Sequence, residues 1–435
     1  MLFSVVGLND NRIDPFSSFE TINNRGKDLS TLELLKNRLH FVAHKICEGK
    51  KLEKLQQEIN DTYTLIYHDL RQFKDDHLEG FLKHFVAYYY GEKSDFKGRL
   101  LNTAFDAHKK YDDLYDEYEK IDDLLFYLSY SSKVWNFLHT LDEKSITLIV
   151  DDNKKLEIEI TPKMRDLLDK MRRLNALNDN AFLPLLLSLL TIQRAGKSAN
   201  EQPYTTKELE GLLEYLERFG FLIYGVAGKN TAKNEWIELA FEAFRYGKEN
   251  IVIEKLPTLE KSFFNRQGNS ALELLEESIL SKKNAEKWYQ WGKALNYLLY
   301  EYELHHNPET NLNFDGSIES IEHILPQNPD QGYSAKEKNW AKNPNIVHAL
   351  GNLLLISKNA NSSLSNKPFD EKRKQYLKGS YSEKEVAKNA SFGVEQIKER
   401  SEKLLDFLIA HYRITELVGE SAIKAFKNAL LKDIK

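Results

Sequence analysis

The chain has 435 residues, 41% hydrophobic and 29% charged, which excludes collagen-like and largely disordered classes and is too long for one ordinary core, so two or three domains are expected. Its 61 basic and 66 acidic residues give a formal net charge of −5, so a nucleic-acid contact must come from a local basic patch rather than from bulk attraction. The single cysteine, Cys47, excludes an internal disulfide and a thiolate zinc site and fits a reducing cytoplasm, the expected localisation.

The opening "MLFSVVGLND" lacks a basic flank and a small-residue cleavage site, and is not read as a signal peptide. In "FSSFETINNRG" the residues Asn23, Arg25 and Gly26 are assigned turn and helix-start chemistry rather than catalysis. Ser30 and Glu33 then form an S-x-x-E capping box ahead of apolar positions at helical spacing, which predicts a helix over 27–47. From 52 to 300 the pattern is helix after helix, and the acids of "YDDLYDEYEKIDDLLFYL" read as a solvated face, not a metal site.

Two β-branched runs flanking "DDNKK" predict a hairpin over 145–162, after which Pro162 opens a helix. The apolar run "AFLPLLLSLLTI" is shorter than the about 20 residues a bilayer requires, so it predicts a buried helix and no membrane partner. "YTTKELEGLLEYLERFGFLIYGV" predicts a capped helix followed by an apolar turn or strand, with a winged helix only weakly supported. His305 and His306 fall where a helix ends, a position that favours histidine through the helix dipole more than through a metal. Asn, Pro and Gly accumulate beyond them, which sets the expected segments at 1–47, 48–304 and 305–435.

The chemistry concentrates in the last segment. "SIESIEHILPQNPD" places Glu322 directly before His323 with Pro326 and Gln327 behind, and "NLLLIS" from Asn352 to Ser357 reads as a buried strand for which "SIESIEHIL" is the partner. An Asn and Ser cluster containing Asn361 follows, then the helix candidate "FDEKRKQYL". Neighbours on a strand point to opposite faces, so a bend at 323–326 is expected to bring the carboxylate and the imidazole together. Lys367, Lys372, Arg373 and Lys374 form the local basic patch that DNA phosphates require.

Two strands and a helix bearing an acid–His pair and two asparagines nine residues apart resemble an HNH, or ββα-metal, nuclease. The longer pattern, "SIEHILPQNP", a Trp and "LGNLLLISKNANSSLSNKPFDEKRKQY", resembles the C-terminal nuclease domain of the GmrSD-type modification-dependent restriction family. "FETINNRGKDLSTLELLKNRL" resembles the closing part of that family's ParB-like nucleotide-binding domain. The resemblance implies a mainly α chain, with helical N-terminal and middle regions and a C-terminal HNH domain. It implies a DNA endonuclease that uses Mg²⁺ or Mn²⁺ against phage DNA, often modified, with Glu322 and Asn361 as metal ligands, His323 as general base and Asn352 orienting the histidine loop.

The family's D-G-Q-Q-R motif and any GxxxxGK[ST] loop are absent from the sequence, so either the chain is a fragment or shortened gene product or a separate partner subunit supplies the nucleotide-binding part, and nucleotide dependence stays open. The alternative is a catalytically silent interaction subunit that binds DNA or a partner.

Overall fold

The computed structural model describes residues 29–151, 154–178, 180–191, 194–195, 198–199, 204–246, 252–265, 270–281, 285–312, 319–329 and 331–435. Asn23, Arg25 and Gly26, and the centre of the expected hairpin turn, lie outside these residues. Helices dominate the described residues, as expected, and none of them is long and apolar enough to cross a membrane. The chain forms two compact units: Met1–Asp169, Asn180–Leu213 and Ala232–Val252 make the first, and Lys170–Asp179, Glu214–Thr231 and Ile253–Lys435 the second.

In the first unit the helix Thr31–Ile46 begins with the expected reciprocal cap. Ser30 Oγ accepts the Glu33 N–H at 3.3 Å, and Glu33 Oε2 accepts the Ser30 N–H at 2.8 Å. Thr31 ties this start to the helix Asp75–Tyr90 by donating its N–H and Oγ1–H to the two carboxylate oxygens of Glu79, each at 2.8 Å. Gly49–Leu70 packs on Leu114–Thr140, while Asp75–Tyr90 packs on Leu183–Leu189 and Lys233–Tyr246. Every residue of Leu183–Leu189 is buried, the state its largely apolar run requires. The hairpin pairs Ser145–Asp151 with Lys154–Glu159, setting Ile146 opposite Ile158 with both side chains buried, and Pro162 is the first residue of the helix Pro162–Asn178.

In the second unit the run "GFLIYGV" forms no strand. It continues the helix as a wider π turn over Gly220–Val226, where the Ala227 N–H reaches Leu222 O, five residues back, at 2.9 Å. All seven residues are buried, and a run apolar on every face carries no period that separates strand from helix. The helix Lys293–His306 ends on His305 and His306 as expected. Its Glu303, fully buried, accepts the backbone N–H groups of Tyr381 and Ser382 at 2.8 Å each, which satisfies the first donors of the helix Tyr381–Ala387.

Deeper in the same unit, Glu217 accepts the Tyr297 hydroxyl at 2.8 Å and the Tyr412 hydroxyl at 3.3 Å on one carboxylate oxygen. Burial, and then the nearby Glu301, push its carboxyl up to about 7.

Candidate active site

The strands Glu319–His323 and Leu353–Ser357 pair antiparallel, with Glu322 opposite Leu354 and His323 opposite Leu353. Leu353, Leu354, Leu355 and Ile356 are all buried, so the second strand is a floor rather than a reactive edge. The first strand stops at His323, yet the Ile324 N–H still reaches Asn352 O at 3.0 Å before the chain bends toward Pro326. Beyond the second strand, Ser357 Oγ accepts the Ala360 N–H at 3.2 Å and starts a helix over Lys358–Leu364. The Asn and Ser cluster is therefore helical, and Asn361 lies within its own helix rather than at the start of Phe369–Tyr376.

Glu322 and His323 do not converge. Strand alternation gives them separate partners. Glu322 is buried, and its Oε1 accepts the Lys372 ammonium at 2.5 Å and the Tyr376 hydroxyl at 3.1 Å. The same ammonium donates to the backbone carbonyls of His323 at 2.8 Å and Ile324 at 3.2 Å, which uses its three protons and fixes the strand end. Burial pushes the Glu322 carboxyl up and the Lys372 ammonium down, and their mutual attraction works against both shifts.

His323 faces another set of groups. Its Nε2 lies 3.1 Å from Nδ1 of His348, its Nδ1 lies 3.3 Å from the Gln327 amide nitrogen, and the Tyr289 ring sits 4.8 Å away. Burial first, then His348 and Lys372, push the imidazole down to about 3, so it is neutral near pH 7.

Asn352 holds the loops on both sides of this imidazole. Fully buried, it accepts the Leu325 N–H on Oδ1 at 2.8 Å and donates through Nδ2 to Leu325 O at 2.9 Å and to Val347 O at 2.8 Å. Gly351 before it has a packing reason to be glycine, because a β-carbon there would lie 2.0 Å from Ile397 O and 2.5 Å from Ser401 N. Arg400, buried on the same helix Val394–His411, donates to Gly351 O at 2.8 Å and Leu353 O at 2.7 Å.

Asn361 donates through Nδ2 to Ser320 Oγ at 2.8 Å and to Ile321 O at 3.2 Å. Ser320 and Glu322 share a strand face, about 7 Å apart along the chain, so the Asn361 amide sits on the carboxylate's side of the sheet. Hard oxygen donors, one carboxylate and one amide, match what Mg²⁺ or Mn²⁺ takes from protein. Among the described residues no group of three or more His, Cys, Asp or Glu could hold a metal, which excludes a His- or carboxylate-rich cage without touching this sparse pair.

The family model described as GmrSD restriction endonucleases, C-terminal domain, matches residues 275–407, a span that contains every group above. This segment is therefore similar to the C-terminal domain of GmrSD-type restriction endonucleases. Comparison with curated proteins gives no match. A restriction endonuclease domain has DNA as its substrate class, which makes the basic side chains of the GmrSD-type domain the next concern.

The expectation for Lys372 is corrected: its side chain is fully buried and its ammonium is internal, so it offers no phosphate contact. Arg373 is half-buried and donates through Nε to Ala387 O at 2.8 Å. Lys367 and Lys374 are exposed. Three groups of the GmrSD-type domain escaped the sequence reading: His348, Tyr289 and Tyr376. Lys372 carried a signal all the same, since Phe369, Lys372 and Tyr376 share one helix face and both aromatics are buried.

Proposed function

We propose that the GmrSD-type domain is a metal-dependent DNA endonuclease of the HNH, ββα-metal, kind, acting in a modification-dependent restriction system against phage. The observation that carries this reading is His323, a neutral imidazole at a strand end whose two flanking loops are pinned by Asn352. Glu322 and Asn361, on the strand face opposite His323, would hold Mg²⁺ or Mn²⁺, which when bound supplies positive charge to the DNA backbone. His323 takes a proton from water, the water oxygen bonds to phosphorus, and the leaving oxygen departs and is protonated by solvent. The phosphodiester's negative charge beside the buried ring raises its proton affinity at the moment it acts as base. Exposed Lys367 and Lys374 would contact phosphates outside the reacting one.

Nicking of supercoiled plasmid, unmodified and phage-modified, with Mg²⁺ or Mn²⁺ tests the reading. Wild-type protein is expected to cleave and His323→Ala to lose at least about a hundredfold in rate; equal cleavage by both removes His323 as base. One observation favours a second reading, a silent DNA- or partner-binding subunit: the Lys372 ammonium already neutralises Glu322. DNA retention in a gel shift, with no cleavage under any metal, would select that reading.

A further inference from the structure

His323 acts in one tautomer, and the structure holds the group that selects it. The side-chain nitrogen of Gln327 is a donor, so at 3.3 Å from Nδ1 of His323 it meets a ring nitrogen that carries no proton. The proton of the neutral ring is then on Nε2, which faces Nδ1 of His348 at 3.1 Å. His348 accepts it there and keeps its own proton on Nε2. The two rings are packed in place. His348 and His323 are both buried, their rings cross at 81°, and Tyr289 stacks on His348 at 26° while packing against His323. Asn352 pins Val347, the residue before His348, with the same amide group that pins the loop after His323. Gln327 itself is exposed, so its amide gives way at Nδ1 to the water that arrives from solvent.

We propose that His348 is a positioning residue for His323: by accepting the Nε2 proton it fixes the tautomer whose Nδ1 lone pair receives the proton of the attacking water. This rests on the reading of His323 as general base. An orienting partner of this kind is commonly worth about ten- to a hundredfold in activity.

The test compares His348→Asn, whose side-chain oxygen keeps an acceptor near the place of Nδ1, with His348→Leu, which fills similar space without one. In full-length, metal-free protein labelled with ¹⁵N-histidine, long-range ¹H–¹⁵N spectra are expected to show His323 protonated on Nε2 in wild type and His348→Asn, and mixed or protonated on Nδ1 in His348→Leu. In plasmid nicking with Mn²⁺, His348→Leu is expected to lower kcat about ten- to a hundredfold with KM for DNA little changed, and His348→Asn to recover most of the rate. A wild-type tautomer and rate in His348→Leu would overturn the proposal while leaving the base in place, provided His323→Ala is inactive. Undiminished cleavage by His323→Ala would instead remove the reading beneath it. Where His348→Leu does not fold, wild type decides alone: His323 protonated on Nδ1 overturns the proposal, and on Nε2 supports it.

Discussion

Two buried carboxylates in the second unit receive opposite treatment. Glu322 is met by an ammonium at 2.5 Å, whereas Glu217 is met by two tyrosine hydroxyls and no cation at comparable range among its hydrogen-bond partners. Burial raises both carboxyls. At Glu322 the Lys372 cation opposes the upward push of burial, and at Glu217 burial and Glu301 carry the carboxyl up to about 7 against the pull of Lys170 and the two hydroxyls. Lys372 thus gives Glu322 the internal counter-charge that a buried carboxylate needs, and Tyr376 adds a hydrogen bond. Glu217 has the environment of a core hydrogen-bonding group that keeps its proton.

The largest expected effect comes from removing the cation. Lys372→Met retains the apolar stem but strands a buried carboxylate and two carbonyls, and is expected to destabilise the protein by about 3–5 kcal/mol, read as a fall in the urea midpoint with the slope unchanged. If stability were unaffected, the ion pair would not distinguish the two sites. Next, Gly351→Ala drives a methyl group into the backbone of the Val394–His411 helix and is expected to cost about 1–3 kcal/mol, measured in the same titration.

Glu217 gives a pH signature. Its folded pKa of about 7 lies above its unfolded value, so in the window between them the native state binds the extra proton and stability falls as pH rises. The slope from this group is at most about 1.4 kcal/mol per pH unit, and Glu217→Gln is expected to flatten it in urea titrations spaced across that window. An unchanged slope would show that the carboxyl is ionised after all. The smallest effect is that of Tyr376→Phe, which removes one 3.1 Å hydrogen bond to Glu322 and is expected to cost about 1 kcal/mol, visible as a small decrease in Tm.

Where local chemistry decides the structure, the sequence was legible. The Ser30–Glu33 cap, the helix start at Pro162 and the pairing of "SIESIEHIL" with "NLLLIS" each depend on a few adjacent residues. Partners distant in the chain were not legible. His348 stands alone in an apolar stretch, and its meaning comes from His323, 25 residues earlier. Lys372 read as a surface cation because its neighbours Glu371, Arg373 and Lys374 are charged, while the carboxylate that draws it inward lies 50 residues away. The π turn over Gly220–Val226 was hidden for a different reason, since strand and helix place the same demands on a fully buried apolar run.

The close approach at Gly351 has a consequence for dissection of the domain. Arg400 satisfies carbonyls on either side of Asn352, and the Ser401 hydroxyl accepts the Gly351 N–H at 2.8 Å. A minimal segment excised at the end of the Phe369–Tyr376 helix would keep every conspicuous motif letter and lose the buttress that sets them. Grafts or truncations meant to transplant this chemistry must extend through Ser401, so the portable piece is the fold around the motif rather than the motif itself.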